Sequence, residues 1–264
     1  MTARRRAGLR AHWAIGVVAA RQAAAARAEV VARVGLYLVI LLVFSRLWRA
    51  TPGAGAFGHV ELLWYLAATE WVLISIPLVH LELERDVRQG DVATLLARPV
   101  PWLSRRVAEA LGQLAVRLLA LGVTGVVAAR LLAGAWPDDP RGLPVALVVG
   151  VAGGVFGVLA QAVIGLCAVW MQDIAPLYWI WQKAAFVLGG LILPLSLYPE
   201  WIRALATWSP FAAFLYGPGR LAMGLDLAGA ARDVGLLAAW TAVALVLLRT
   251  IHRRALRVLD VNGG

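Results

Sequence analysis

Long apolar runs separated by short polar connectors make up most of the chain, and each run is continuous, with no polar residue at every second position. The first is VVARVGLYLVILLVFSRLW (30–48), closed by Arg46, Arg49 and the turn TPGAG. A second covers 57–80 and carries Trp64, Tyr65, Glu70 and Trp71; a third covers 107–134 and ends before WPDDPRGLP. A fourth (143–171) is rich in glycine, Asp173 separates it from a fifth (174–197), and the last (234–251) ends in RTIHRRALRVLD. At about 1.5 Å per residue each is long enough for a helix through roughly 30 Å of hydrocarbon. Uninterrupted runs without period-two alternation exclude a membrane β-barrel. The pattern predicts an all-α integral membrane protein, one transmembrane domain over 1–264 with six transmembrane helices.

Composition agrees: 61% of the 264 residues are hydrophobic and 15% charged, with a mean hydropathy of +0.77, too apolar for an ordinary soluble domain. Charge then adds orientation. Seven arginines precede or open the first run, five lie in 82–106 and four close the last run, sixteen against seven in the opposite connectors. Positive residues stay on the cytoplasmic side, which predicts cytoplasmic termini and a cytoplasmic 82–106 connector in the inner (plasma) membrane of a bacterium. The net charge of +10 therefore reads as headgroup chemistry with membrane lipid, not as nucleic-acid binding. The single Cys167 leaves no intrachain disulfide.

Residues 1–29 hold alanines and arginines at helical spacing. The apolar piece 13–20 is short and is followed by Arg21 and Arg27. This suits an N-terminal amphipathic helix at the cytoplasmic interface better than a cleaved signal.

The densest mixed charge lies in ELERDVRQGDVATLLARPVPWLSRR (82–106), with Glu82, Glu84, Arg85, Asp86 and Arg88 before Gly90. A bare link would need only a few residues. Instead Asp91 is placed to cap a short helix that Pro99 and Pro101 stop. Val92, Leu95 and Leu96 share one face of it, and Arg98 closes it. Such a helix suits docking into a groove of a soluble partner, and a solvated loop with ordinary headgroup arginines is the plainer alternative.

DVRQGDVATLLARPVP resembles a stretch of the ABC-2 type permeases, the membrane subunits of ABC transporters, in which a charged segment precedes a glycine and an L-x-R-P ending. LILPLSLYPEWIRALATWSPFAAFLYGPGRLAMG (191–224) is similar to that family's stretch between spans 5 and 6. The resemblance implies that the 82–106 connector is the coupling helix seated on an ABC ATPase subunit. It also implies a second permease subunit, identical or homologous, and ATP and Mg bound by the partner ATPase with no cofactor on this chain. The family leans to export.

The residues themselves carry no visible catalytic constellation. The only lysine, Lys183, follows Gln182 rather than a glycine-rich loop, so no phosphate-binding loop is present. HExxH and GxSxG are absent, and His12, His59, His80 and His252 are scattered near run ends. An integral-membrane enzyme without a recognisable motif and a secondary transporter remain alternatives, the latter without a visible repeat between 1–132 and 133–264.

Glu70, Arg117 and Lys183 fall inside apolar runs, where ionised groups rarely face lipid. Their similar depth predicts pairing with Glu70 as the common acid, a structural lock in preference to a lining of the substrate path. Gln161 and Gln182 are weaker candidates for the same interior. The glycine pairs 150/154 and 153/157 predict close helix packing, within the subunit before across a dimer. Between spans 5 and 6, Pro199 and Glu200 suit a helix start, and Pro210 and the GPG at 217–219 break the chain again. Short re-entrant outer helices follow, with Tyr198, Trp201 and Trp208 at the outer interface and the whole segment closing the outer end.

Overall fold

The computed structural model describes residues 2–50, 57–96, 100–171 and 173–262, and every regular element among them is helical. α1 (Thr2–Ala25) and α2 (Arg27–Ala50) are separated at Ala26; α3 (His59–Ser75), α4 (Val79–Arg88) and the short α5 (Val92–Leu96) follow. Then come α6 (Trp102–Ala133), α7 (Gly142–Leu166), α8 (Ala175–Leu188), α9 (Glu200–Thr207), α10 (Gly217–Met223) and α11 (Leu227–Asn262).

Proline and glycine set the boundaries. Pro77 has no N–H to continue the ladder and disfavours helical dihedrals at Ile76, which is extended (φ −68°, ψ 122°), so one apolar run becomes α3 and α4. Pro101 opens α6, and Gly134 closes it at φ +79°, in the left-handed region that suits glycine. The carboxylate of Asp173 accepts the Ala175 N–H at 2.9 Å before α8.

Five helical stretches are long and apolar enough to cross a membrane: Arg27–Ala50, His59–Arg88, Trp102–Ala133, Gly142–Val169 and Leu227–Val258. The expected fifth span, 174–197, is instead the 14-residue α8, about 21 Å long, followed by the irregular segment 189–194 in which Gly190 has φ +57°. Hydropathy counted the whole run as helix, although GG at 189–190 and Pro194 break it.

The α3–α4 stretch is central, with 78% of its most apolar window buried, against 17% for α2 and for α11, which form the periphery. Its polar atoms are matched across helices: Tyr37 donates to the Ala67 carbonyl at 2.6 Å and Trp71 to the Leu118 carbonyl at 2.8 Å. The glycines of α7 face several neighbours within the chain. A Cβ at Gly150 would strike Trp71, at Gly153 Phe214, at Gly154 Leu114 and at Gly157 Ile76, the close approach that small residues permit.

The N-terminal helix, expected at the interface, packs along the bundle. α1 runs along α6: His12 lies 2.9 Å from the Ser104 hydroxyl, Gly16 abuts Ala108 and Gly112, and Ala19 is buried. The small residues on this face bring the two backbones together, while Leu9 and Trp13 face outward.

Candidate functional site

The connector between α3 and α6 is built on one amphipathic turn of sequence. In α4, Val79, His80, Leu83 and Asp86 are buried while Leu81, Glu82, Arg85 and Arg88 are exposed, the stripe expected of a helix lying on a protein surface. Gly90 ends the helix at φ +75°, a conformation that costs a glycine little. α5 then starts on main-chain geometry. The Asp91 carbonyl accepts from the Leu95 N–H at 3.0 Å and the Thr94 hydroxyl at 2.8 Å. Among the described residues the Asp91 carboxylate accepts no hydrogen bond, so the expected side-chain cap is replaced by its backbone.

Asp86 holds this hairpin to the bundle. Arg106 grips its carboxylate with two N–H groups, at 2.7 and 2.5 Å, and the Trp102 indole donates to it at 2.7 Å. The guanidinium reaches on to Glu109 at 2.9 Å, and Arg105 binds the other oxygen of that carboxylate at 2.9 Å. A forked guanidinium–carboxylate pair of this kind is stronger and more directional than a single contact. On the opposite side, His80 Nδ1 lies 2.7 Å from Gln161 Oε1 of α7. Its ring stacks on Tyr178 of α8 at 3.8 Å. α4 is therefore tied to three other helices, and any displacement of the hairpin bears on all of them.

The expected docking face is a correction. Val92 is only 2% exposed and belongs to the main core, and Leu95 packs against that core. Spacing shows that one face of α5 is apolar but not what covers it; this chain covers it. The Leu96 side chain, Arg98 and Pro99 lie outside the described residues. What the hairpin presents outward is polar: Glu82, Arg85, Arg88, Gln89, Gly90, Asp91 and Thr94 are exposed. Arg85 leans on Glu82 at 3.8 Å and Arg88 on Glu84 at 3.4 Å.

The expected pairing of intramembrane charges is also corrected. Glu70 is 6% exposed on α3, and no ion pair or hydrogen bond reaches it from the described residues. Arg117 pairs instead with Glu29 at 2.5 Å, an acid shared with Arg33 at 2.9 Å. Lys183 is exposed on α8, its ammonium 5.2 Å from the Trp179 ring centre and 5.4 Å from that of Phe186. Equal depth counted along separate runs does not place side chains on facing sides. Gln161 is buried against His80, and Gln182 is half-buried. Trp102, Arg106, Glu109 and Glu29 were missed, although Arg106 lies four residues from Trp102, on one helical face.

At the other end, Pro199 precedes α9, Glu200 leans on Arg203 at 3.8 Å, and Trp201 and Trp208 are exposed. Arg232 sits over the Trp208 ring at 5.4 Å, and the Trp240 indole donates to the Trp208 carbonyl at 3.2 Å. Tyr198 and Tyr216 pack against the cluster of Leu195, Ala206 and Ala212, and Pro210 opens the helical stretch 210–223. α10 inserts against α3, where a Cβ at Gly219 would meet the Tyr65 ring at 2.6 Å and Thr69 at 2.7 Å.

Long apolar helices around a buried central one, a charged hairpin at one end and broken helices at the other make this a multi-pass membrane protein. A family model described as ABC-2 family transporter protein matches residues 30–263, and the chain belongs to that family. Comparison with curated proteins gave no match.

Proposed function

We propose that the chain is the permease subunit of an ABC exporter, forming half of the transmembrane pathway and driven by a separate ATPase subunit. Family membership supports this reading, as does the absence of a phosphate-binding loop from the sequence. The observation that carries it is the α4–α5 hairpin, whose exposed polar tip is braced to α6 by Asp86 and to α7 and α8 by His80. The ATPase docks on that tip, through Arg85, Arg88, Gln89 and Asp91, and not through Val92 and Leu95. ATP and Mg stay on the ATPase, and a second permease, identical or homologous, completes the pathway.

In this reading both termini and the hairpin are cytoplasmic, in a bacterial inner membrane. α8 and the segment 189–194 make the remaining crossing, fifth in chain order: Tyr178 stacks on His80, while Tyr65 and Thr69 bind the carbonyls of Gly190 and Leu191. The helix thus descends α3–α4 from one end to the other. Segment 198–223 closes the outer end, with Tyr198, Trp201 and Trp208 at the interface.

The test is charge reversal at the tip. Arg85→Glu/Arg88→Glu changes two exposed side chains, so folding should shift by about 0.5 kcal/mol per site or less. Recovery of the cognate ABC ATPase with the tagged permease should fall about tenfold, as expected when complementary charges become repulsive. Unchanged recovery together with unchanged hydrolysis in proteoliposomes would sink the docking assignment.

A further inference from the structure

A polar cavity of about 530 Å³ opens between α1, α2, α4 and α6. Its two ends differ in charge. At one, Glu82 and Glu109 are covered by Arg85, Arg105 and Arg106, at 3.8, 2.9 and 2.9 Å. At the other, Arg33 and Arg117 share the single carboxylate of Glu29, at 2.9 and 2.5 Å, leaving one cation in surplus. Arg33 has a second acceptor in the Ile74 carbonyl at 3.2 Å. Among the described residues Arg117 has none. Its side chain is only 10% exposed, and its buried Nη1 has no hydrogen-bond partner among those residues. A guanidinium carries five N–H donors in a fixed fork, and a buried one left unmatched calls for an acceptor.

We propose that this end of the cavity binds a phosphate group between Arg33 and Arg117. Forked guanidinium groups match phosphate oxygens in pairs. One surplus positive charge equals the single negative charge of a phosphodiester, the linkage of a phospholipid headgroup. The cavity rim fits an amphiphile too: Pro77, Leu78 and Leu81 border it beside the α3–α4 break, and both leucines are exposed. Glu29, with its side chain 47% exposed, is the competing anion and sets the affinity. The site requires only that the chain sits in a bilayer, and stands whether or not an ATPase drives it.

The test is lipid retention by the full-length protein, carrying whatever subunits purify with it, drawn from bilayers of equal phosphatidylglycerol and phosphatidylcholine and measured by native mass spectrometry. Wild type should retain phosphatidylglycerol selectively, and Arg117→Gln should lose about tenfold of that retention through loss of a charge-assisted contact. Arg117→Lys should recover part of it. Glu29→Gln, which removes the competitor, should raise retention, and so keeps the test open if Arg117→Gln fails to fold. Displacement of the lipid by inorganic phosphate would assign the site to the soluble ion, and resistance would assign it to the headgroup. Equal retention by wild type and Arg117→Gln, or reduced retention in Glu29→Gln, overturns the proposal.

Discussion

The two ends of this bundle are held together by different physics. At the hairpin end, helices meet through charge: Asp86 with Arg106 and Trp102, Glu109 with both neighbouring arginines, and Glu29 between Arg33 and Arg117. A cavity of about 530 Å³ lies among them. At the opposite end, α10 meets α3 and α7 through close contact, Gly219 against Tyr65 and Gly142 against Leu221, beside one ionic cluster, Arg220 with Asp226 and Asp233. Ion pairs of long side chains tolerate small displacements and can exchange partners. Glycine-mediated packing tolerates almost none, because interiors are close-packed. The exposed charge pairs at the hairpin end thus yield more readily than the close-packed α3–α10 seam.

The contrast can be broken at four points. The largest effect is all-or-none. In a Cys167→Ala background, Asp139→Cys should react with an impermeant thiol reagent in intact cells and Gln89→Cys should not; labelling at 89 would invert the assignment of the two ends. Next, Asp86→Ala leaves Arg106 and Trp102 without their shared acceptor. Breaking such a buried pair should cost about 3 kcal/mol, read as thermal unfolding in detergent together with new proteolysis between 82 and 100. A melting curve like that of wild type would mean that the hairpin is held by its apolar face alone.

At the end opposite the hairpin, Gly219→Ala forces a methyl into the Tyr65 ring and Thr69, a strain of about 2 kcal/mol. A stabilised protein would show that this packing is looser than described. The smallest effect concerns Asp226, which caps α11 by accepting the Gly229 N–H at 2.9 Å and also binds Arg220. The Gly229 N–H, and then the Arg220 charge, hold its carboxyl below the usual aspartate range. A carboxyl with a lowered folded-state pKa contributes stability above its unfolded value of about 4, and loses it as pH falls through the folded value. Asp226→Ala should therefore cost about 1 kcal/mol at neutral pH, with the difference shrinking in strong acid. A gap that stays constant down to pH 2 would deny the cap any role.

Most of the architecture could be read from residue order, because a membrane demands long apolar helices. Four expected spans coincide closely with long helices, and the 57–80 span falls on the pair α3–α4. The failures have two causes. Run length hid the breaks at Pro77 and at GG 189–190, since hydropathy averages over a window. The facing of side chains was invisible: the same Val92–Leu95 spacing serves a partner or the chain's own core, and only the tertiary fold decides. Pairs distant along the chain, such as Arg117 with Glu29 or Asp86 with Arg106, leave no local mark.

The irregular segment after α8 has a consequence for biogenesis. Its carbonyls at Gly190 and Leu191 are satisfied by the hydroxyls of Tyr65 and Thr69, on a helix made more than a hundred residues earlier. Lipid offers no substitute donor, and bare backbone carbonyls in hydrocarbon cost several kcal/mol each. A helix of 14 residues is also short for independent partitioning out of the translocon. A crossing made by α8 and this segment would therefore enter the bilayer as a client of α3, late and alongside an already inserted neighbour, and a nascent chain halted before the earlier helices have assembled would leave this segment at the membrane surface.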